Sequence, residues 1–152
     1  MRCWQLVAIL MSFAFVTSAH AQASEKVTVG VLHSGDDVVG MRLAFALKEA
    51  LRASQGYQLG TDYARTIVRF NLITLNPVQS RKQTGNWTVA SATLTMQNHT
   101  RFEPNNPQTW YPIHLTSVLV TCGSAEITEC ANNLMATLED VLASYWRDTQ
   151  LK

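Results

Sequence analysis

The sequence lacks the features that mark nucleic-acid-binding, membrane-spanning and metal-binding proteins. Its charges nearly cancel, with 12 Lys+Arg against 11 Asp+Glu in 152 residues, so it lacks the excess of basic residues that attracts nucleic acid or anionic lipid. No apolar run reaches the roughly 20 residues that span a bilayer. Cys, His and acidic residues show no metal-ligand spacing, and there is no internal repeat or low-complexity tract. We therefore expect no nucleic-acid partner, no transmembrane segment, no metal and no cofactor.

The amino-terminal segment has the order of a secretory signal peptide. A short basic start precedes an apolar run over residues 4–16, and small residues follow it. Two Ala-x-Ala sites end at Ala21 and Ala23. We expect residues 1–21 to be cleaved, with 1–23 as the alternative, and the compact Ala-x-Ala end is typical of bacterial export.

The cysteines fit an exported protein. Loss of Cys3 with the signal peptide leaves Cys122 and Cys130 as the only thiols of the mature chain, residues 22–152. Thiols tend to pair in an oxidising compartment, and the spacing differs from the Cys-x-x-Cys of redox pairs. We expect one structural disulfide in a single periplasmic or secreted domain.

The mature sequence predicts an α+β fold of order β-α-β-β-β-α. Two helices pack on one face of a four-stranded mixed sheet in this interpretation. A crossover makes the first two strands parallel, and hairpins make the later ones antiparallel. The predicted strands cover residues 26–33, 65–75, 87–96 and 111–121, and the helices cover residues 38–54 and a segment that begins near 124–128.

Local sequence signals predict where the first helix begins and ends and which side chains of the next strand share a face. Asp36 or Asp37 is expected to cap the helix start, and Gly56 to end it as a left-handed cap, before a polar connector. In the second predicted strand, Val68, Phe70 and Leu72 share one face, and polar residues alternate with them.

Three candidate catalytic residues lie at the carboxyl end of the first predicted strand. His33, Ser34 and Asp36 are residue types that a hydrolase uses. However, a histidine must reach the hydroxyl from a separate element, and neighbours in one turn rarely allow that geometry. A capping turn is therefore the favoured interpretation, and we expect no catalytic residue here.

Two predicted loops carry residue types that dominate protein interfaces. Arg81 and Lys82 lie in one of them, and Phe102, Trp110 and Tyr111 flank the long loop at the opposite end of the sheet. Aromatic and arginine side chains often contribute most of the binding energy of an interface. The alternative is that the aromatic residues only cover the edge of the core.

The first helix has a pattern that resembles small bacterial cell-envelope modules, such as the N-terminal domain of TolB and the assembly protein LptE. The residues that carry the resemblance are Gly40, Leu43, Ala44, Leu47, Ala50, Leu51, Ser54, Gly56 and Tyr57. The chain departs from both, because no propeller follows as in TolB and no lipid-bearing cysteine is present as in LptE. The resemblance implies a non-enzymatic envelope role.

Together these observations predict an exported protein-binding module of the bacterial cell envelope that acts through sheet-end loops. One alternative is an inhibitor or immunity protein of a secreted enzyme, whose loop would block a cleft. Another is a small secreted hydrolase built on His33, Ser34 and Asp36.

Cleavage at the first Ala-x-Ala site predicts a mature protein that begins at Gln22. Mass analysis and amino-terminal sequencing of the exported protein will show this end, or Ser24 if the second site is used. A cytosolic protein that retains Met1 would contradict the export prediction.

Overall fold

A computed structural model describes residues 26–62, 66–77, 85–98 and 111–150 of the chain. Five strands and two helices lie within these ranges. In chain order they are β1 (Val27–Ser34), α1 (Val38–Ala53), β2 (Tyr57–Leu59), β3 (Val68–Leu75), β4 (Trp87–Asn98), β5 (Tyr111–Gly123) and α2 (Ile127–Gln150). The fold is α+β, as the sequence predicts.

The strands form one mixed sheet in the order β2-β1-β3-β4-β5. β1 is parallel to β2 and to β3, whereas the pairs β3–β4 and β4–β5 are antiparallel. This confirms the predicted directions of the four longer strands. The central strand β3 therefore joins a parallel half of the sheet to an antiparallel half.

The expected count of four strands is wrong, because β2 adds a fifth. This strand has only three residues and pairs with the start of β1, where Tyr57 lies opposite Val27. The sequence pattern predicts no strand between the first helix and the polar connector. Three residues are too few to show the alternation by which strands are recognised in a sequence.

Helix α1 begins as predicted and ends differently. Asp37, one of the two expected caps, accepts a hydrogen bond from the backbone N–H of Gly40. At the other end, Ser54 is the C-cap in an extended conformation, and its hydroxyl accepts from the N–H groups of Gly56 and Tyr57. The expectation of a left-handed Gly56 is wrong, because among the described residues only Gly35 has a positive φ. The chain passes directly from α1 into β2.

The core lies between the helices and alternate side chains of the strands. Helices α1 and α2 contact each other and the sheet, and their buried residues form one cluster with inward-facing strand residues such as Val29, Phe70 and Leu94. Burial of one large aliphatic or aromatic side chain stabilises a fold by roughly 1.5–3 kcal/mol. Within the described ranges, neither helix combines the length and apolarity that crossing a bilayer requires.

A disulfide joins the end of β5 to the first turn of α2. Cys122 and Cys130 are bonded, their Cα atoms lie 6.1 Å apart, and both residues are buried in the core. The prediction of this bond is confirmed. Because only residues 124–126 separate the strand from the helix, the bond fixes a tight corner from which α2 runs back along the sheet.

We expect the double substitution Cys122→Ser and Cys130→Ser to lower the free energy of unfolding by about 2.5 kcal/mol, because an open ring of this size restores entropy to the unfolded chain. Urea titration followed by circular dichroism measures the change. Wild-type protein in reductant is the control and should show the same loss, whereas an unchanged midpoint in both samples would contradict a stabilising bond.

Candidate functional site

The face of the sheet turned away from the core exposes large aliphatic side chains. Leu119 is 75% exposed, Ile73 60%, Leu75 58% and Leu32 47%. We call these four residues the outer-face patch. Isolated exposed leucines are ordinary on protein surfaces, so the arrangement of the four decides whether the patch has significance.

Strand register brings the patch residues together. Ile73 and Leu119 both pair with Ser91, one from each side of β4. Ile73 also pairs with Ser34 of β1, two residues after Leu32. The patch therefore extends across β1, β3 and β5 with only small residues between its members. It lies toward the end of the sheet where β1, β3 and β5 terminate.

Leu75 extends the patch toward the same end of the sheet. It lies two residues after Ile73 on the same side of β3, and it pairs with Val89, which is half-buried on β4. Adjacent aliphatic side chains on neighbouring strands are in contact distance across a sheet. The patch therefore continues over the end of β3 rather than stopping at the row through Ser91.

The rest of this face is polar. Thr93 and Ser117 share a hydrogen bond of 3.2 Å between their hydroxyl oxygens, and His114 Nε2 lies 2.9 Å from Ser117 Oγ. Arg69 and Thr95 continue this polar region. A shallow depression of about 350 Å³ runs along the boundary and is lined by both kinds of residue, including Leu32, Ile73 and Thr93. The face is thus divided into an apolar end and a polar end.

His33 and Ser34 lie on opposite faces of the sheet. Successive side chains of a strand alternate, and the register pairs His33 with buried Leu72 but Ser34 with exposed Ile73. His33 Nε2 lies 2.8 Å from Thr74 Oγ1, on the side of the core. The structure therefore does not bring together His33, Ser34 and Asp36, the residues of the hydrolase hypothesis.

The turn between β1 and α1 is packed tightly around Thr74. This threonine is 4% exposed. A Cβ atom added at Gly35 or at Gly40 would overlap its hydroxyl, and Gly35 has a φ of 142° that side chains rarely tolerate. A hydroxyl so enclosed has no path to a substrate, so this polar cluster fixes the turn rather than forming an exposed catalytic pair.

Burial and neighbouring charges in this turn affect the His33 imidazole, and the two carboxylate oxygens of Asp37 differ in hydrogen bonding. Burial lowers the pKa of the His33 imidazole, the nearby Asp37 carboxylate opposes that effect, and Lys48 adds to it. The Oδ1 atom of Asp37 accepts from Gly40 N at 2.6 Å, whereas its buried Oδ2 atom has no hydrogen-bond partner among the described residues. Asp37 therefore caps the start of α1 beside the imidazole of His33.

Of the five predicted partner-binding residues, only Tyr111 is described. It opens β5, is 49% exposed, and its hydroxyl accepts a 3.2 Å hydrogen bond from Asn98 Nδ2. Arg81, Lys82, Phe102 and Trp110 lie outside the described residues. The described ranges contain no group of three or more His, Cys, Asp or Glu residues that could hold a metal ion.

Sequence reasoning missed the outer-face patch, although a signal was present. In β3 the residues that alternate with the buried set change from Arg69 and Asn71 to Ile73 and Leu75 along the strand. Such a change from polar to aliphatic residues at the strand positions that alternate with the buried ones indicates an apolar surface at one end of a strand. The same parity argument places Leu119 on this surface.

We expect NMR titration of the His33 ring proton to give a midpoint below the ordinary pKa of 6.5. Because the folded-state pKa is the lower one, the unfolded chain binds a proton first, and His33 makes the fold less stable as pH falls through 6.5 toward the folded-state pKa. The same titration in urea is the control. A folded midpoint at or above the unfolded one would contradict the buried arrangement.

Neither the models of known protein families nor the curated proteins contain a match to this chain. Its function must therefore be argued from its own surfaces.

Proposed function

We propose that this chain is an exported, non-enzymatic protein-binding module of the bacterial cell envelope, which contacts its partner at the end of the sheet. The observation that carries the proposal is the exposure of Leu32, Ile73, Leu75 and Leu119 as one surface. Apolar patches of a few hundred Å² on soluble proteins are often functional. A protein surface is the partner best matched to aliphatic side chains on a flat, open face.

Energetics favour a partner on this surface. A large aliphatic side chain gains roughly 1.5–3 kcal/mol on complete burial, and the patch residues still expose between 47% and 75% of their surface. A few such side chains can therefore supply the central contacts of an interface, where a minority of residues contributes most of the affinity.

The proposal includes a packing arrangement in which both helices cover one face of the sheet and leave the other face free for the partner. This arrangement is supported by the core, because buried residues of α1 and α2 belong to one cluster with the inward-facing strand residues. Arg81 and Lys82, the loop residues expected to bind a partner, follow β3 in the sequence.

The proposed compartment rests on two features. The amino-terminal segment has the order of a signal peptide, and a Cys122–Cys130 disulfide is compatible with an oxidising environment such as the periplasm. An inhibitor or immunity protein would use the same kind of contact, with a secreted enzyme as its partner. The hydrolase alternative loses support because His33 and Ser34 face opposite sides of the sheet.

Substitution of Ile73 and Leu119 by lysine tests the patch. We expect this double variant to retain at least tenfold less of the partner than wild type in affinity purification from an envelope extract with quantitative mass spectrometry, because two charges would be buried at the contact. Both side chains point to solvent, so the fold should persist, which circular dichroism checks.

The matched control places lysine at Thr95 and Ser117, on the polar end of the same face. It adds the same charge and should retain the partner at the wild-type level. If the Ile73→Lys, Leu119→Lys variant captures the same proteins in the same amounts as the control, the patch does not bind the partner.

A further inference from the structure

Strand β5 is an edge strand of the described sheet. It pairs with β4 on one side, and no described strand pairs with its other side. It is 13 residues long and contains no Lys, Arg, Asp or Glu, and its only proline is at the second position. Exposed edges usually carry charges or are very short, because a free row of N–H and C=O groups invites another strand.

A bulge interrupts the pairing of β5 with β4 near the start of β5. Leu94 pairs with Thr116 and Thr95 pairs with His114, so Leu115 is an extra residue on β5. Bulges redirect a side chain and often lie beside functional sites. Leu115 lines a groove between β5 and α2 and packs against the core beneath it.

The groove has an apolar floor and an acidic rim. Its volume is about 430 Å³. Leu115, Val141 and Tyr145 form the floor and are partly buried against the core. Asp140 and Asp148 line the groove from α2 and are exposed. The ion pair found between described residues joins Glu49 and Arg52 and involves neither groove carboxylate.

The spacing of the two carboxylates matches an extended chain. Asp140 and Asp148 are eight residues apart, which is about 12 Å along a helix axis. In an extended strand, residues i and i+4 are about 13 Å apart and point to the same side. The tight corner at residues 124–126 makes α2 run back along β5, so a strand beside β5 would pass both carboxylates in turn.

We propose that the free edge of β5 and this groove bind an extended peptide segment of a partner protein with the pattern basic-x-apolar-x-basic. The segment joins the sheet beside β5 through main-chain hydrogen bonds. Its apolar side chain contacts Leu115 and Tyr145, and its two basic side chains lie near Asp140 and Asp148. The inference rests on the proposed protein-binding role, but its surface is separate from the outer-face patch.

Fluorescence anisotropy with a labelled synthetic peptide, Ser-Lys-Thr-Val-Thr-Lys-Ser, tests the proposal at low ionic strength on the mature protein. The comparison peptide, Ser-Thr-Lys-Val-Lys-Thr-Ser, has the same composition but places both lysines on the strand face opposite valine. We expect saturable binding of the first peptide and roughly tenfold weaker binding of the second. N-methylation of alternate peptide amides, in the register that faces β5, should abolish binding, because it removes the main-chain hydrogen bonds.

Variants of the protein test the acidic rim. We expect Asp140→Asn with Asp148→Asn to weaken the first peptide about tenfold, since two partly exposed charge pairs are lost. The control Asp36→Asn with Glu129→Gln changes the net charge equally at exposed residues away from the groove and should bind as wild type.

Three results would overturn the inference: equal binding of the two peptides, equal effects of the two double variants, or a β5-mediated dimer in sedimentation that excludes the peptide. Failure here with continued capture through the outer-face patch would leave the proposed function intact. If the Ile73→Lys, Leu119→Lys variant captures as much partner as its control while the first peptide still binds, the patch is rejected and the groove is retained.

Discussion

The register of β3 is the constraint on which the other features of this protein depend. This strand pairs in parallel with β1 and antiparallel with β4, so one residue of slip would exchange its two faces across the sheet. In the observed register, Phe70 and Leu72 enter the core and Ile73 faces solvent. The same register places Thr74 beside His33 and beneath the start of α1. The buried core, the tight turn and the exposed patch are thus three consequences of one pairing.

Two constraints hold the helix starts at the same end of the sheet. The turn after β1 is fixed by Gly35, Thr74 and the Asp37 cap, and the corner after β5 is fixed by the Cys122–Cys130 bond. The turn requires glycine at position 35, because a side chain would overlap Thr74, and the disulfide restricts the unfolded chain. The outer-face patch lies toward this end, so a partner bound there would contact a surface whose backbone is already ordered. Binding to an ordered surface loses less conformational entropy than binding to a mobile one.

The sequence predicted the parts of the fold that repeat a local pattern. The four long strands, both helices, the disulfide and the Asp37 cap all follow from alternation, helical spacing or residue chemistry. β2 could not be predicted, because its three residues pair only through the parallel contact with β1. Gly56 shows a related limit: a glycine permits the left-handed conformation, but the direct entry into β2 and the Ser54 cap decide that it is not used. The site was harder still. That Ile73, Leu75 and Leu119 are exposed depends on which face of the sheet turns away from the core, and Leu115 of the groove lies at a bulge that appears only when β5 is aligned with β4.

The two proposed surfaces differ in the kind of contact that each can make. The outer-face patch offers side chains on a face whose strands already pair with one another. A partner there is stabilised by burial of aliphatic surface and forms no main-chain hydrogen bonds with the strands. The edge of β5 offers N–H and C=O groups that no described strand pairs with, beside a groove with Leu115 in its floor and carboxylates at its rim. A partner there would form directional hydrogen bonds and would be selected for basic side chains. One proposed surface lies on the face turned away from the core, and the other lies at the edge of the described sheet beside α2. If both proposed surfaces bind parts of one protein, the second contact is intramolecular and strengthens the first without any new residue.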